Sequence, residues 1–416
     1  MMNKATDAEC VISDLKELEK LTADENGAQR VAWTPVWDLA REWFIKKMKL
    51  EGADVIVDSA YNLFAKVQGE TDDAICIGSH LDCVPNGGWL DGALGVVAAM
   101  GIVKKYGIHG HKPRKTIYAT CWADEEGARF GRSCIGSSAV SGNLDIEEVA
   151  ELKDNNNVTF SQALKRYGLK ISDFPKAKKE FLDKKVSNYL ELHIEQAPVL
   201  ESKRKSVACV SGICGCERDY ITFIGQRAHS GCPISMRHDA FLTAAQAALD
   251  FRKIGLKYTE GEKYGYCTVG KVNVIPGVVT IFPGTCTISL DQRHIDKVIL
   301  KKMNDEAYEA CKQAAKSNGV QFKVQKVWSN PPTIFNKKLI ELCKQAVMEE
   351  TGDSLEMYSG PLHDAAEIAK FVPSVMMFVQ SKNGLSHCKE EDTNEHDLIH
   401  GISAFFNLAN KVINEK

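Results

Sequence analysis

The chain has 416 residues, of which 44% are hydrophobic and 26% are charged, with a formal net charge of -3. This composition is that of a folded globular protein rather than a disordered one, and the length suggests two or three domains. The small net charge gives no electrostatic argument for nucleic acid as a partner.

No segment carries a membrane or export signal. The longest apolar stretch, Ala93–Val103, has about half the length of a membrane span. The opening residues, MMNKATDAEC, contain no apolar core of a signal peptide. The cysteines are scattered from Cys10 to Cys388 without the spacing of a secreted disulfide framework. We therefore expect a cytoplasmic protein with reduced thiols and no membrane partner.

Helix and strand patterns alternate along the N-terminal third of the chain. Apolar residues at helical spacing predict helices at 35–50 and 94–106, and short apolar runs predict strands at 53–57, 61–67, 74–77 and 115–122. This alternation predicts an α/β sheet, in which functional residues collect at the carboxyl ends of the strands.

A different pattern follows in residues 209–328. Its predicted elements are a strand at 217–224, a helix at 238–254, strands at 264–274 and 278–293, a helix at 296–317 and a strand at 320–327. The order β-α-β-β-α-β is that of a ferredoxin-like α+β domain, which folds alone at about this size. Beyond Pro331 helix and strand alternate again. We therefore predict a discontinuous α/β domain, residues 1–208 and 329–416, with an inserted ferredoxin-like domain.

Histidines and carboxylates stand at the ends of several predicted strands and before the apolar helix. Imidazole and carboxylate ligands suit Zn²⁺ and its first-row neighbours. The histidines and carboxylates are too many for a single catalytic zinc and about right for two metals that share one carboxylate. The residues concerned are His80, Asp82, Asp91, Glu125, Glu126, His193 and His387.

Adjacent Glu125 and Glu126 can divide two tasks. One carboxylate can bind a metal while its neighbour faces a substrate as general base, which is what metal-assisted hydrolysis needs. Asp82, two residues after His80, offers a carboxylate that could orient the imidazole. Each feature alone is more often surface or core, but their combination at strand ends favours a catalytic site.

Five strings resemble the signatures of the M20 metallopeptidase superfamily: HLDCVPNGGWLDGALGV, ADEEGARFGRSCIGS, LELHIEQAPVLE, GQRAHSGCP and GLSHCKEEDT. They are most similar to its hydantoinase/carbamoylase branch, which contains N-carbamoyl-L-amino acid hydrolases, β-ureidopropionases and allantoate amidohydrolases. The resemblance covers nearly the whole chain. LHIEQ and ADEEGxRF together are specific to this branch, whereas HxD alone is not.

The resemblance implies a role for each matched residue. The metal ligands would be His80, Asp91, Glu126, His193 and His387, with Asp91 bridging. Glu125 would be the general base, Asp82 would orient His80, and His229 would polarise the substrate across a dimer interface. The substrate would be bound by Gln196, Asn273 and Arg293, with Gly360 and His363 in a segment that lines the pocket.

The expected function is that of a binuclear amidohydrolase. It would use two divalent ions per subunit (Zn, or Mn, Co or Ni) to cleave the ureido C–N bond of a small carboxylate-bearing substrate such as an N-carbamoyl-L-amino acid. The alternatives are an allantoate amidohydrolase of the same family and an M20-type dipeptidase or aminoacylase. A non-catalytic binding protein is disfavoured because it would not need Glu125. The resemblance also implies a homodimer formed through the inserted domain, which would act as a lid.

Two segments depart from the family pattern. The usual HAGTTPM is HSGCPISM here, with one residue fewer between the histidine and the proline, and the usual SGAGHDA is SGPLHDA, in which Pro361 and Leu362 replace a flexible Ala-Gly. Both segments line the substrate pocket in relatives, so the sequence does not choose among the ureido substrates.

Overall fold

The computed structural model describes residues 6–108 and 110–415. The chain forms two compact units. The first contains the residues up to Ser211, the segment Ile334–Met357 and the residues from His363 onward. The second contains Gly212–Thr333 and the short segment Tyr358–Leu362.

The segment Tyr358–Leu362 belongs to the second unit because its backbone carbonyl groups accept hydrogen bonds from that unit. The N–H of Cys214 donates to the carbonyl of Ser359 over 2.8 Å, and Nη1 of Arg293 donates to the carbonyl of Gly360 over 2.9 Å. The expected inserted domain, 209–328, did not include this segment.

The described part of the chain contains α-helices at both ends and between the strands. No helix in it is both long enough and apolar enough to cross a membrane. In chain order the helices are α1 (Asp7–Thr22), α2 (Pro35–Leu50), α3 (Ala93–Tyr106), α4 (Ile135–Ser141), α5 (Ile146–Ala150), α6 (Phe160–Leu164), α7 (Lys176–Leu182), α8 (Val199–Lys203), α9 (Ala240–Lys257), α10 (Lys297–Asn318), α11 (Lys337–Thr351), α12 (Asp364–Ile368) and α13 (Glu395–Ile413).

Most strands belong to one large sheet in the first unit or a smaller one in the second. They are β1 (Ala23–Asp24), β2 (Gly27–Ala28), β3 (Asp54–Val57), β4 (Leu63–Val67), β5 (Ala74–His80), β6 (Thr116–Trp122), β7 (Val186–Ile194), β8 (Val207–Ile213), β9 (Gly215–Ile224), β10 (Ala228–His229), β11 (Tyr266–Thr268), β12 (Val272–Ile275), β13 (Ile281–Phe282), β14 (Thr285–His294), β15 (Gln321–Asn330), β16 (Thr333–Ile334), β17 (Glu356–Ser359) and β18 (Ser374–Val379).

The centre of the large sheet is parallel. β5 lies between β6 and β7, parallel to both, and β18 is parallel to β7 on its other side. Antiparallel strands β4 and β8 flank this centre. Every residue of β5 and β6 is buried, as expected for strands covered by helices on both faces. The predicted α/β fold class is confirmed, and the carboxyl ends of four neighbouring strands meet at one edge.

The sheet of the second unit is antiparallel, in the order β11-β14-β9-β15, and β12 also pairs with β14. Helices α9 and α10 pack on it through a core that includes Phe223, Phe251 and Met303. The connectivity is β-α-β-β-α-β, as predicted. Two predicted strands are each divided, however. β14 begins only at Thr285 because the preceding Pro283 has no N–H to donate to a ladder.

Candidate metal centre

The central strands of the large sheet carry polar side chains to one edge. His80 is the last residue of β5, and His193 is the penultimate residue of β7. β6 ends at Trp122, and the turn that follows contains Glu125 and Glu126. Because the carboxyl ends of parallel strands lie side by side, residues far apart in the sequence come together there.

Gly92 lets helix α3 begin against the ring of His80. Its φ of +64° lies in the left-handed region, and a Cβ at this position would lie 2.3 Å from Cε1 of His80. A side chain is therefore excluded both by the backbone conformation and by the close approach. The result is that Asp91, immediately before the helix, faces the histidines of the strand ends.

One oxygen of Asp91 faces the first pair of histidines. Oδ1 of Asp91 lies 3.2 Å from Nε2 of His193 and 4.0 Å from Nε2 of His80. All three side chains are buried. They form a group in which one ligand atom from each residue lies within 4.8 Å of the others.

The second oxygen of Asp91 faces a different group. Oδ2 lies 3.1 Å from Nε2 of His387, and this nitrogen lies 3.3 Å from Oε2 of Glu126. These three residues also offer ligand atoms within 4.8 Å of one another. Asp91 is thus common to both groups, with one oxygen directed at each.

The chemistry of these donors fits divalent metals that accept nitrogen and oxygen ligands. Nδ1 of His80 lies 3.0 Å from the carbonyl oxygen of Asp82, and Nδ1 of His193 lies 2.9 Å from that of Ile194. Because each Nδ1–H donates to a carbonyl, Nε2 is the ring nitrogen that is left to bind a metal when the imidazole is neutral. The two groups would hold one ion each, with the Asp91 carboxylate between them.

The histidines and Asp91 change each other's protonation. Burial alone would raise the pKa of Asp91, but His193 and His387 hold it well below its usual range. The hydrogen bond to Asp91 raises the pKa of His387 to about 9. Burial lowers the pKa of His193, but Asp91 outweighs this effect and raises it to about 9. Two imidazolium ions thus neutralise Asp91 when no metal does.

The remaining carboxylates repel one another. Burial, then the charges of Asp364 and Glu126, raise the pKa of Glu125 well above its ordinary value. Burial and the charge of Asp91 raise the pKa of Glu126 to about 8. A divalent cation would relieve this repulsion and favour the ionised forms.

Glu125 is held in the centre by its neighbours. Its Oε2 lies 3.7 Å from Nε2 of His80, and the Cys134 thiol donates to its Oε1 over 3.6 Å. The carboxylate of Asp82 accepts the backbone N–H groups of Glu125 (3.3 Å) and Glu126 (3.0 Å). Asp82 thus fixes the turn. Its carboxylate lies 3.8 Å from Nδ1 of His80, farther than its own carbonyl oxygen.

Glu391, to which no sequence pattern assigned a role, holds the backbone of Asp91 in place. Its Oε1 accepts the backbone N–H groups of Leu90 (3.0 Å) and Asp91 (2.9 Å), and its Oε2 accepts the Ser386 hydroxyl (2.7 Å). Glu391 is buried. Glu391 lies in the GLSHCKEEDT string, four residues after His387, and this position was the sequence feature that could have identified it.

Asp124 was also passed over. Its Oδ2 accepts the indole N–H of Trp33 over 2.5 Å, and its Oδ1 accepts the backbone N–H of Gly127 over 3.1 Å. The three consecutive acidic residues, Asp124 to Glu126, therefore face three different environments. The three consecutive acidic residues could have drawn attention to Asp124, but nothing in the sequence identified Trp33 as its hydrogen-bond donor.

Two predicted substrate-binding residues lie beside the metal groups. Nε2 of Gln196 donates to Oδ2 of Asp91 over 3.0 Å and lies 3.3 Å from the Ser386 hydroxyl. His363 is buried, and its ring packs edge-on against His193 with the centroids 4.4 Å apart.

The other predicted substrate-binding residues belong to the second unit. His229 is exposed on β10 and its Nδ1 accepts the N–H of Gly231 over 3.0 Å. Asn273 is exposed on β12. Arg293, near the end of β14, donates to the carboxylate of Asp291 from Nε (2.8 Å) and Nη2 (3.2 Å). Its third contact is the carbonyl of Gly360 described above.

Comparison with known proteins gives matches along almost the whole chain. The model of Peptidase family M20/M25/M40 matches residues 76–411. An N-carbamoyl-L-amino-acid amidohydrolase from Pseudomonas sp. (strain NS671) is 31% identical over 408 residues, 95% of each protein. An allantoate amidohydrolase from Escherichia coli (strain K12) is 29% identical over 379 residues, 90% of each. A solved structure of an amidase of the hydantoinase/carbamoylase family from Burkholderia multivorans is 27% identical, with a TM-score of 0.87 over 98% of both chains.

Proposed function

Since the chain belongs to Peptidase family M20/M25/M40, we propose that it is a metal-dependent amidohydrolase that cleaves the C–N bond of a ureido (N-carbamoyl) group. The substrate is a small carboxylate-bearing compound such as an N-carbamoyl-L-amino acid. The observation that carries the proposal is Asp91, which belongs to both ligand groups beside the buried Glu125. The names of the similar amidohydrolases supply the class of bond.

The centre would hold two divalent ions, one in each of the two groups that contain Asp91. Imidazole and carboxylate ligands accept zinc, manganese, cobalt or nickel, and metal availability selects among them. When bound, the ions polarise the substrate carbonyl and lower the pKa of the attacking water.

Glu125 moves the proton. It takes a proton from the water as oxygen attacks the ureido carbon, and it delivers a proton to the terminal nitrogen as the C–N bond breaks. Ammonia leaves, and the resulting carbamate loses CO₂ to release the free amine. Burial of Glu125 suits this work because it brings the pKa of the carboxyl nearer that of the groups with which it exchanges protons.

The proposed substrate contacts are the residues matched to the family. The guanidinium of Arg293, held in a fixed plane by Asp291, pairs with the substrate carboxylate. Gln196, Asn273, Gly360 and His363 are the other proposed substrate ligands. His229 donates a hydrogen bond to the carbonyl oxygen as negative charge develops on it.

The functional molecule is a homodimer formed through the second unit. Leu242, Leu249 and Leu256 are exposed on α9, and their seven-residue spacing places them on one face of the helix. Three exposed leucines in one row are typical of a helix face that is covered in an assembly. We propose that the second unit acts as a lid in this dimer and that His229 serves the partner's active site.

The dimer and the action of His229 across it can be tested together. The variants His229→Ala and Glu125→Ala, each inactive alone, should regain part of the activity after mixing and subunit exchange, because a mixed dimer contains one intact site. A Leu249→Glu variant, which sedimentation should show to be monomeric, should not complement. Recovery of no activity from dimeric mixtures would contradict action across the interface.

The substrate is identified by ammonia and amine release. Metal-free protein is reloaded separately with Zn²⁺, Mn²⁺, Co²⁺ or Ni²⁺ and offered N-carbamoyl amino acids, β-ureidopropionate, allantoate and dipeptides. Metal-dependent ammonia with an equal amount of amine is the expected result. Ammonia from allantoate alone would select the allantoate amidohydrolase, which the E. coli relative favours. Release of amine without ammonia would show that the protein is a dipeptidase or an aminoacylase instead.

A further inference from the structure

Arg41 is a buried charge with an unsatisfied donor. The residue, on helix α2, is 3% exposed, and its Nη1 is buried without a hydrogen-bond partner in the described part of the chain. The guanidinium carbon lies 3.9 Å from the ring centroid of Tyr61 and 4.6 Å from that of Trp37. Stacking on aromatic rings offsets part of the penalty of burying the charge, but it satisfies no N–H group.

The nearby carboxylates are bound to other groups. Asp58 accepts the backbone N–H groups of Ala60 and Asn62 and the side-chain amide of Asn62. Asp38 pairs with Arg166 over 2.9 Å. Consistent with this, burial is the main influence on Arg41 and lowers its pKa.

Arg41 lies in the wall of a cavity of about 240 Å³ in the first unit. The cavity opens between α2, the end of β3 and the short 3₁₀ helix Lys165–Tyr167. Since one water molecule takes about 30 Å³ in the liquid, the space accommodates a small organic molecule. Ile45 and Val57 line one part of the wall, and Tyr167, whose hydroxyl interacts with Asp38, belongs to another.

We propose that this cavity binds a small organic monocarboxylate at a site separate from the metal centre. The N–H groups of Arg41 pair with the carboxylate oxygens, because a guanidinium stacked on aromatic faces still presents its donor edge. Ile45 and Val57 contact the short apolar body of the ligand. Glu42 and Asp38, the latter paired with Arg166, also line the cavity, so a second negative charge on the ligand is disfavoured.

Trp33 connects the wall of the cavity to the turn that carries Glu125. Trp33 packs against Tyr61 and Tyr167, with centroid distances of 5.9 and 5.5 Å, and against Trp37 at 4.9 Å. Its indole N–H is the donor to Asp124 described above. Occupation of the cavity therefore changes the surroundings of two tryptophans, which makes their fluorescence a reporter of binding.

The test uses full-length, metal-loaded protein and propionate as the probe. Binding is followed by tryptophan fluorescence and by equilibrium dialysis of radiolabelled propionate. Arg41→Met should weaken binding at this site at least tenfold and, without ligand, should raise the melting temperature, because it replaces an unpaired buried charge by an apolar chain. Lys49→Met is the matched control, since it removes an exposed cation from the same helix outside the wall of this cavity and should leave binding within about twofold.

Equal propionate binding by the wild type and Arg41→Met would overturn the proposal, as would no binding by the wild type. Inorganic phosphate is the contrasting probe, and preference for it over propionate would overturn the monocarboxylate assignment. If Arg41→Met does not fold, the ¹⁵N signal of the Arg41 Nε in the wild type decides the question. It should shift on titration with propionate, and an unchanged signal would contradict the proposal.

Discussion

At the scale of single residues, the two oxygens of Asp91 set the character of the centre. One faces His80 and His193 and the other faces His387, so a single carboxylate connects two groups of donors. Glu125 lies beside this arrangement without belonging to either group. Binding of metal and transfer of protons are therefore assigned to different side chains, and the two can be separated by substitution.

Glu125→Gln should retain two equivalents of metal and lose turnover by at least about 100-fold, because an amide cannot accept the proton of the attacking water. Metal content measured by mass spectrometry and kcat with the best substrate check this. Glu126→Gln is the comparison, and it should lose metal as well as activity. Near-normal turnover by Glu125→Gln would show that another group is the base.

Glu391 is a positioning residue, since it acts through the backbone of Asp91. Glu391→Ala should weaken metal binding by about 10- to 100-fold, the effect typical of losing a partner that supports a ligand. Glu391→Gln should restore part of the affinity, because its amide oxygen can accept one of the two N–H groups. Competition with a chelator gives the affinities, and Glu390→Ala, an exposed neighbour, should match the wild type.

At the scale of elements, the start of helix α3 packs against the end of strand β5 at Gly92 and His80. Gly92→Ala should weaken metal binding and lower the melting temperature, because the new Cβ meets the His80 ring in a left-handed backbone conformation. Gly352→Ala isolates the backbone effect: its φ is +73°, but no atom within 4 Å would meet the new Cβ. That control should lose about 1 kcal/mol of stability and no metal affinity. Equal metal affinity in both variants would contradict the contact with His80.

The predicted bounds of helices and strands agree best with the observed ones where the hydrophobic pattern is long and uninterrupted. The predicted helix 35–50 is observed as Pro35–Leu50, and the predicted strand 115–122 as Thr116–Trp122. Strand β5 extends three residues beyond its predicted end at Ile77, because its ladder with β6 continues through polar Ser79 and His80. Helix α13 was not predicted, although its buried face carries Phe405 and Phe406.

At the scale of the whole molecule, we expect the stability of the first unit to depend on bound metal. Removal of the ions by a chelator should lower its melting temperature by about 5 °C or more, because a ligand that binds only the folded state stabilises it. Calorimetry with and without chelator measures the shift. His193→Ala, which lacks a ligand of the first group, should respond less, and equal shifts in both proteins would contradict the ligand assignment.

The sequence by itself determined the fold class, and its patterns predicted the β-α-β-β-α-β order of the second unit and the histidines and carboxylates proposed as metal ligands. It could do so because buried strands, amphipathic helices and strand-end histidines leave patterns within short windows, and because five strings resemble a known family. Tertiary structure alone decided that the two oxygens of Asp91 face different groups, that Glu391 holds the backbone of Asp91, and that Arg41 is buried beside a cavity. Each of these depends on contacts between residues distant in the chain, such as the bond between Glu391 and Asp91, and no local pattern encodes the direction in which a buried side chain points.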